Sequence, residues 1–126
     1  MDDSLKKRLE SDAIGLLTYE YIANNINNEG FGDDVDWLTD NIIRVDKTGQ
    51  FVVSTARYLN AIDKEAFVQQ IDRLIKAAIV VDRDRAYLGV LASSIWGDDY
   101  QTRADSLIAS DDNFRRIYKR LYPIGI

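Results

Sequence analysis

Apolar residues recur at three- and four-residue steps through most of this 126-residue chain, the spacing of one helical face. Leu5, Leu9, Ala13, Leu16 and Leu17 begin the pattern behind Ser4, a good N-cap. Tyr21, Ile22 and Ile26 carry the same helix on to Gly30 or Gly32. Asp33, Asp34 and Asp36 then open a second, shorter helix through Trp37, Leu38, Ile42 and Ile43. Beyond Asp63, the residues Phe67, Ile71, Leu74, Ile75 and Ala78 share about a third of the helical circumference at ~100° per residue. Glu65, Gln69, Asp72, Arg73 and Lys76 fall opposite them, which predicts an amphipathic surface helix. Residues 86–96 are apolar or small on every face and predict a helix buried on all sides. Two further helices are expected, from Asp98 or Asp99 to Ala109 and from Asp111 or Asp112 to Tyr122.

One segment reads differently. Asp46-Lys47-Thr48-Gly49 is the strongest turn signal in the chain, and it lies between Ile42-Ile43-Arg44-Val45 and Gln50-Phe51-Val52-Val53. Both flanks are rich in β-branched residues, so a β-hairpin at 42–53 is expected; the alternative extends the second helix to Val45. The lone proline, Pro123, leaves the interior free to be helical. The expected fold is mainly α, a single helical domain over residues 1–126. About five to six helices surround the 86–96 segment, and the hairpin is the one departure. Phe31-Gly32-Asp33-Asp34 recurs 65 residues later as Trp96-Gly97-Asp98-Asp99, but the rest of that offset aligns poorly. Two independent junctions, each ending one helix with Gly and capping the next with Asp, explain it.

Composition narrows the chemistry. The chain has neither histidine nor cysteine, which removes the usual zinc, haem and iron–sulfur ligands, thiol nucleophiles and Ser-His relays. Carboxylates, lysines, tyrosines and hydroxyls remain, each needing a strongly shifted pKa to act near neutrality. No cofactor is expected. No apolar run follows Lys6-Lys7-Arg8 as a secretory leader requires, and none approaches the length of a membrane span. A cytoplasmic location without a membrane partner is therefore expected.

The net charge is −5, which weighs against a general nucleic-acid binder. Eleven of the 21 acidic residues, among them Asp2, Asp3, Asp63, Glu65, Asp111 and Asp112, fall at or near predicted helix starts, where carboxylates satisfy free N–H groups. The loop 25–36 places Asn25, Asn27, Glu29, Gly30, Asp33 and Asp36 at the spacing of a calcium loop. It lacks a carboxylate at its first position and a bidentate Glu at its last. Asp82-Arg83-Asp84-Arg85 combines a magnesium-type Asp pair with phosphate-type arginines, yet it reads equally as a solvated connection. Ser4 and Lys7 have the spacing of a Ser-Lys pair in a terminal segment where chance matches are common.

Two basic clusters stand apart. The last helix carries Arg115, Arg116, Lys119 and Arg120 opposite Phe114, Ile117, Tyr118, Leu121 and Tyr122. Lys6, Lys7 and Arg8 sit early in the long first helix, where they oppose its dipole. The two clusters form one interaction surface if the termini lie close together. The expected role is a non-catalytic module that binds another protein, as a regulator, adaptor or immunity-type inhibitor. The alternatives are a nucleic-acid-associated accessory protein using that patch, and a small enzyme working through carboxylates at Asp82 and Asp84 or at Asp33, Asp34 and Asp36.

Overall fold

Each time the chain leaves one helix of an outer row, an aspartate carboxylate gathers the backbone N–H groups that start the next helix. This happens three times, at Asp12, Asp46 and Asp82, which are 34 and 36 residues apart. The computed structural model describes residues 1–123. It comprises eight α-helices: α1 (Asp3–Glu10), α2 (Leu16–Asn25), α3 (Phe31–Val45), α4 (Gln50–Asp63), α5 (Val68–Val81), α6 (Leu88–Trp96), α7 (Ala104–Ser110) and α8 (Asp112–Leu121). A 3-10 turn at Tyr100–Arg103 leads into α7.

The helices form two rows. In the outer row α1, α3, α5 and α8 run parallel: Leu9 at the end of α1 receives the Asn41 amide of α3, and Asp36 early in α3 receives Gln70 early in α5. Asn113 early in α8 reaches Asp72 of α5, and Arg120 at the end of α8 reaches the Asp82 carbonyl just past α5. The inner row is α2, α4 and α6, tied by Tyr58 to the Ala23 carbonyl and by Arg57 to Ser94. The result is a single helix followed by three stacked helix pairs, α2/α3, α4/α5 and α6/α8, with α7 inserted in the last, a layout like that of a short helical repeat array.

One core runs between the rows from Leu9 to Ile117. Leu38, Ile42, Leu59, Leu74, Leu88 and Leu91 are fully buried in it, each contributing about 1.5–3 kcal/mol relative to an exposed side chain. The amphipathic reading of α5 holds, because Ile71, Leu74, Ile75 and Ala78 are all buried.

The three joints share one geometry. Asp46 accepts from the amides of Thr48, Gly49, Phe51 and Val52 at 2.8–3.0 Å. Asp82 accepts from Ala86, Tyr87 and Leu88 at 2.7–3.0 Å. Asp12 accepts from Ile14, Gly15 and Thr18, and from the Thr18 hydroxyl. Three residues after each aspartate the backbone turns through positive φ, at Gly15 (103°), Gly49 (98°) and Arg85 (59°). Successive joints also pack on each other. A Cβ on Gly49 would lie 2.9 Å from Asp82 Cβ, and one on Gly15 would lie 3.4 Å from Asp46 Cβ and 3.1 Å from Phe51 Cβ.

The structure corrects several expectations. No strand occurs among the described residues, and the 42–53 segment is the end of α3, the Asp46 joint and the start of α4. The turn is real, but its carboxylate nucleates a helix instead of closing a hairpin. The first expected helix is two, broken at the Asp12 joint. Asp63 ends α4 and does not open α5, although its carboxylate accepts from Ala66 in the turn between them. Helix α6 is the last of the inner row, with Val90 43% exposed, so the centre of the domain is α4, flanked by α2 and α6.

Candidate interaction surface

The parallel outer row brings the C-terminal halves of α3, α5 and α8 together on one exposed face. Val80 of α5 stands in its middle, 67% exposed. Two shallow depressions meet there. One, of about 510 Å³, is lined by Ile79, Val80, Arg115, Arg116, Lys119 and Arg120. The other, of about 480 Å³, is lined by Ile43, Arg44, Asp46, Lys47, Ala77, Val80 and Val81. The floor is aliphatic and both rims are basic.

These bases differ in what they already do. Arg120 donates to the carbonyls of Ile79, Asp82 and Arg83, closing the C-terminus of α5. Arg115 pairs with Asp112 at 2.6 Å, and this guanidinium holds the Asp112 carboxyl below its usual range. Arg44 donates to Asn41 and to the Glu10 carbonyl, completing a chain through Thr18 to Asp12 that fastens the first joint to α3. No described carboxylate lies within 4.0 Å of Lys47, Arg116 or Lys119. The one carboxylate lining the depressions, Asp46, has both oxygens filled by joint amides.

The N-terminal cluster lies elsewhere. Helix α1 packs against α3, and α8 packs against α5 and α6, so the two clusters stand at the two ends of the outer row. Lys6 lies 5.7 Å over the Trp37 ring of α3, a cation–π contact. Lys7 and Arg8 occupy the last turn of α1. Their apparent conflict with the helix dipole came from reading one long helix; in the short one they sit at the favourable end.

Several of the other candidates are engaged within the fold. Asp82 is buried under three amides, while Asp84 beside it is exposed. Asp36 accepts from Gln70 and pairs with Arg73, and Asp33 and Asp34 lie in the first turn of α3. The calcium-type spacing in 25–36 spans the end of α2 and the start of α3. No group of three or more acidic side chains among the described residues is placed to hold a metal ion. A separate depression of about 400 Å³ lies between α4, α5, α6 and α8, with Ile71, Ile75, Ile95 and Trp96 on its walls. Its polar groups bond one another: Trp96 Nε1 donates to Asp111 at 2.9 Å and Asn113 to Asp72 at 2.7 Å. Lys76 and then Asn113 hold the Asp72 carboxyl below its ordinary value despite desolvation.

Sequence reasoning singled out Arg115, Arg116, Lys119 and Arg120 but missed Val80, Ile43, Lys47 and Arg44. Those lie on α3, on α5 and in the Asp46 joint, and only the parallel packing of the row joins them to α8. No helix among the described residues is long and apolar enough to cross a membrane. Comparison with protein-family models, curated proteins and solved structures finds no match.

Proposed function

We propose that the protein is a non-catalytic interaction module that binds another protein through the outer face of α3, α5 and α8. The observation that carries this reading is the exposed Val80, seated where two aliphatic depressions meet between basic rims. An isolated exposed valine is ordinary, but one continuous with a concave apolar floor is the form of a binding surface. Helical repeat arrays present such faces, because stacking lines up equivalent positions of successive repeats. The reading fits a cytoplasmic regulator, adaptor or immunity-type inhibitor.

The test is capture from source lysate on the immobilised full chain, with nuclease, comparing the native protein with Val80→Glu. A stoichiometric protein retained by the first and lost by the second supports the reading. Equal retention by both moves the interface off this face. Lys47, Arg116 and Lys119, without carboxylate partners among the described residues, favour a second reading as a nucleic-acid-associated protein. A partner set that disappears with nuclease would select it.

A further inference from the structure

Resting on the interaction-module reading, we propose that the partner presents an acidic segment carrying at least one aliphatic side chain, packed on Val80 between carboxylates that meet Lys47 on one side and Arg116 and Lys119 on the other. Charge complementarity carries the inference. The chain is acidic overall, at −5, yet the lining of the two depressions holds six bases against Asp46, which is already saturated.

Helix-end electrostatics account for only part of this. The C-termini of α3, α5 and α8 point the same way; bases in the last turns of α3 and α8 complement their dipoles, and Arg120 reaches across to the end of α5. That explains Arg44 and Arg120, whose donors are also spent on carbonyls, and it covers Lys119 in the last turn of α8 and Lys47, which donates to the Arg44 carbonyl. It does not explain Arg116, in the middle of α8, where the terminal effect has faded. Nor does it explain an aliphatic floor left open between two basic rims.

That floor decides between acidic partners. A nucleic-acid backbone needs phosphate contacts and gains from aromatic platforms for its bases. The lining here is Ile43, Ala77, Ile79, Val80 and Val81, with no aromatic ring. An acidic peptide with an aliphatic side chain satisfies both the rims and the floor. Its carboxylates set the rate of encounter and the orientation, while burial of the aliphatic group supplies most of the affinity.

Selection of random 12-residue peptides on the full-length chain tests this, followed by calorimetry with the enriched sequences. The enriched peptides are expected to carry a surplus of Asp and Glu with at least one aliphatic residue, and to bind less tightly as salt rises. Val80→Glu and the double variant Arg116→Glu/Lys119→Glu should each weaken them by about tenfold or more. Val90→Glu, on the inner row, should leave them unchanged. All four positions are at least partly exposed, and thermal melts establish that each variant is folded. Peptides without acidic surplus, peptides insensitive to Val80→Glu, or no enrichment would overturn the proposal. A single-stranded oligonucleotide that binds through the same bases and ignores Val80→Glu would overturn it in favour of nucleic acid. Self-association lost in Val80→Glu would overturn it in favour of a second copy. If the groove variants leave peptides unaffected while lysate capture persists, the groove assignment fails and the interaction-module reading stands.

Discussion

The joint at Asp46 and the joint at Asp82 perform one task with different residues. In each, a buried carboxylate collects amides of the following helix, and the backbone passes through positive φ three residues later. At the Asp46 joint that position is Gly49; at the Asp82 joint it is Arg85. Arg85 at 59° lies in the small left-handed region that a side chain can enter, while Gly49 at 98° lies beyond it, so φ already favours glycine at one joint and not at the other. The neighbour adds to this. Gly49 lies under Asp82, with room for no Cβ, whereas Arg85 belongs to the last joint in the stack and extends its guanidinium to the Arg120 carbonyl. Glycine is required at Gly49 by stacking as well as by the turn.

The strongest way to break the comparison is to remove the carboxylate the joints share. Asp46→Ala leaves four amides at a nearly buried site without acceptors, each costing about 1–3 kcal/mol where water cannot replace the bond. A loss above about 4 kcal/mol is expected, a large part of the stability of a domain this size. Asp82→Ala, with three amides, should cost somewhat less, and Asp12→Ala least, because that joint is only half-buried. Urea unfolding of the three variants gives the order. Equal losses would show that the carboxylates act locally, without regard to burial.

A finer test exchanges the residues that differ. Gly49→Ala places a Cβ against the backbone and Cβ of Asp82 and keeps the unfavourable φ. The expected loss is about 2–4 kcal/mol. Arg85→Ala keeps a side chain at an exposed site whose φ already tolerates one, and should cost less than about 1 kcal/mol. A loss in Gly49→Ala of no more than about 1–2 kcal/mol, the cost of the left-handed backbone by itself, would return the explanation to φ alone.

The same contrast shows what could be read from the sequence. The helical class and the buried face of α5 are periodicity, a property of one element, and the pattern carries it directly. The joints were hidden by ambiguity at short range: Asp46-Lys47-Thr48-Gly49 is equally a hairpin turn and a helix start, and tertiary packing selects between them. Asp82 looked like a metal ligand for a related reason, since a carboxylate that accepts amides also accepts cations. The 34- and 36-residue spacing escaped because only the aspartate and the positive-φ position recur, while the helices between them differ in length and face. The candidate surface was half legible. Arg116 and Lys119 lie on one basic helix, but Val80 and Lys47 join them only across the row.

The smallest expected effect concerns the first joint and appears in acid. Desolvation pushes the Asp12 carboxyl up, but the Thr18 amide and hydroxyl and the amides of Gly15 and Ile14 outweigh it and hold the group below the ordinary aspartate range. A carboxyl lowered on folding contributes stability above its unfolded pKa, and that contribution is lost as pH falls through the folded one. The window therefore lies below about pH 4 and leaves neutral stability unchanged. Other carboxylates titrate there too, so the useful quantity is the stability difference between the native chain and Asp12→Asn, which retains the shape but not the charge. That difference should be flat from about pH 7 to pH 5 and shrink below pH 4 as protonated Asp12 comes to resemble Asn. A difference that stays constant down to pH 2 would mean that the charge of Asp12 contributes nothing, and that shape and hydrogen-bond acceptance alone hold the first joint.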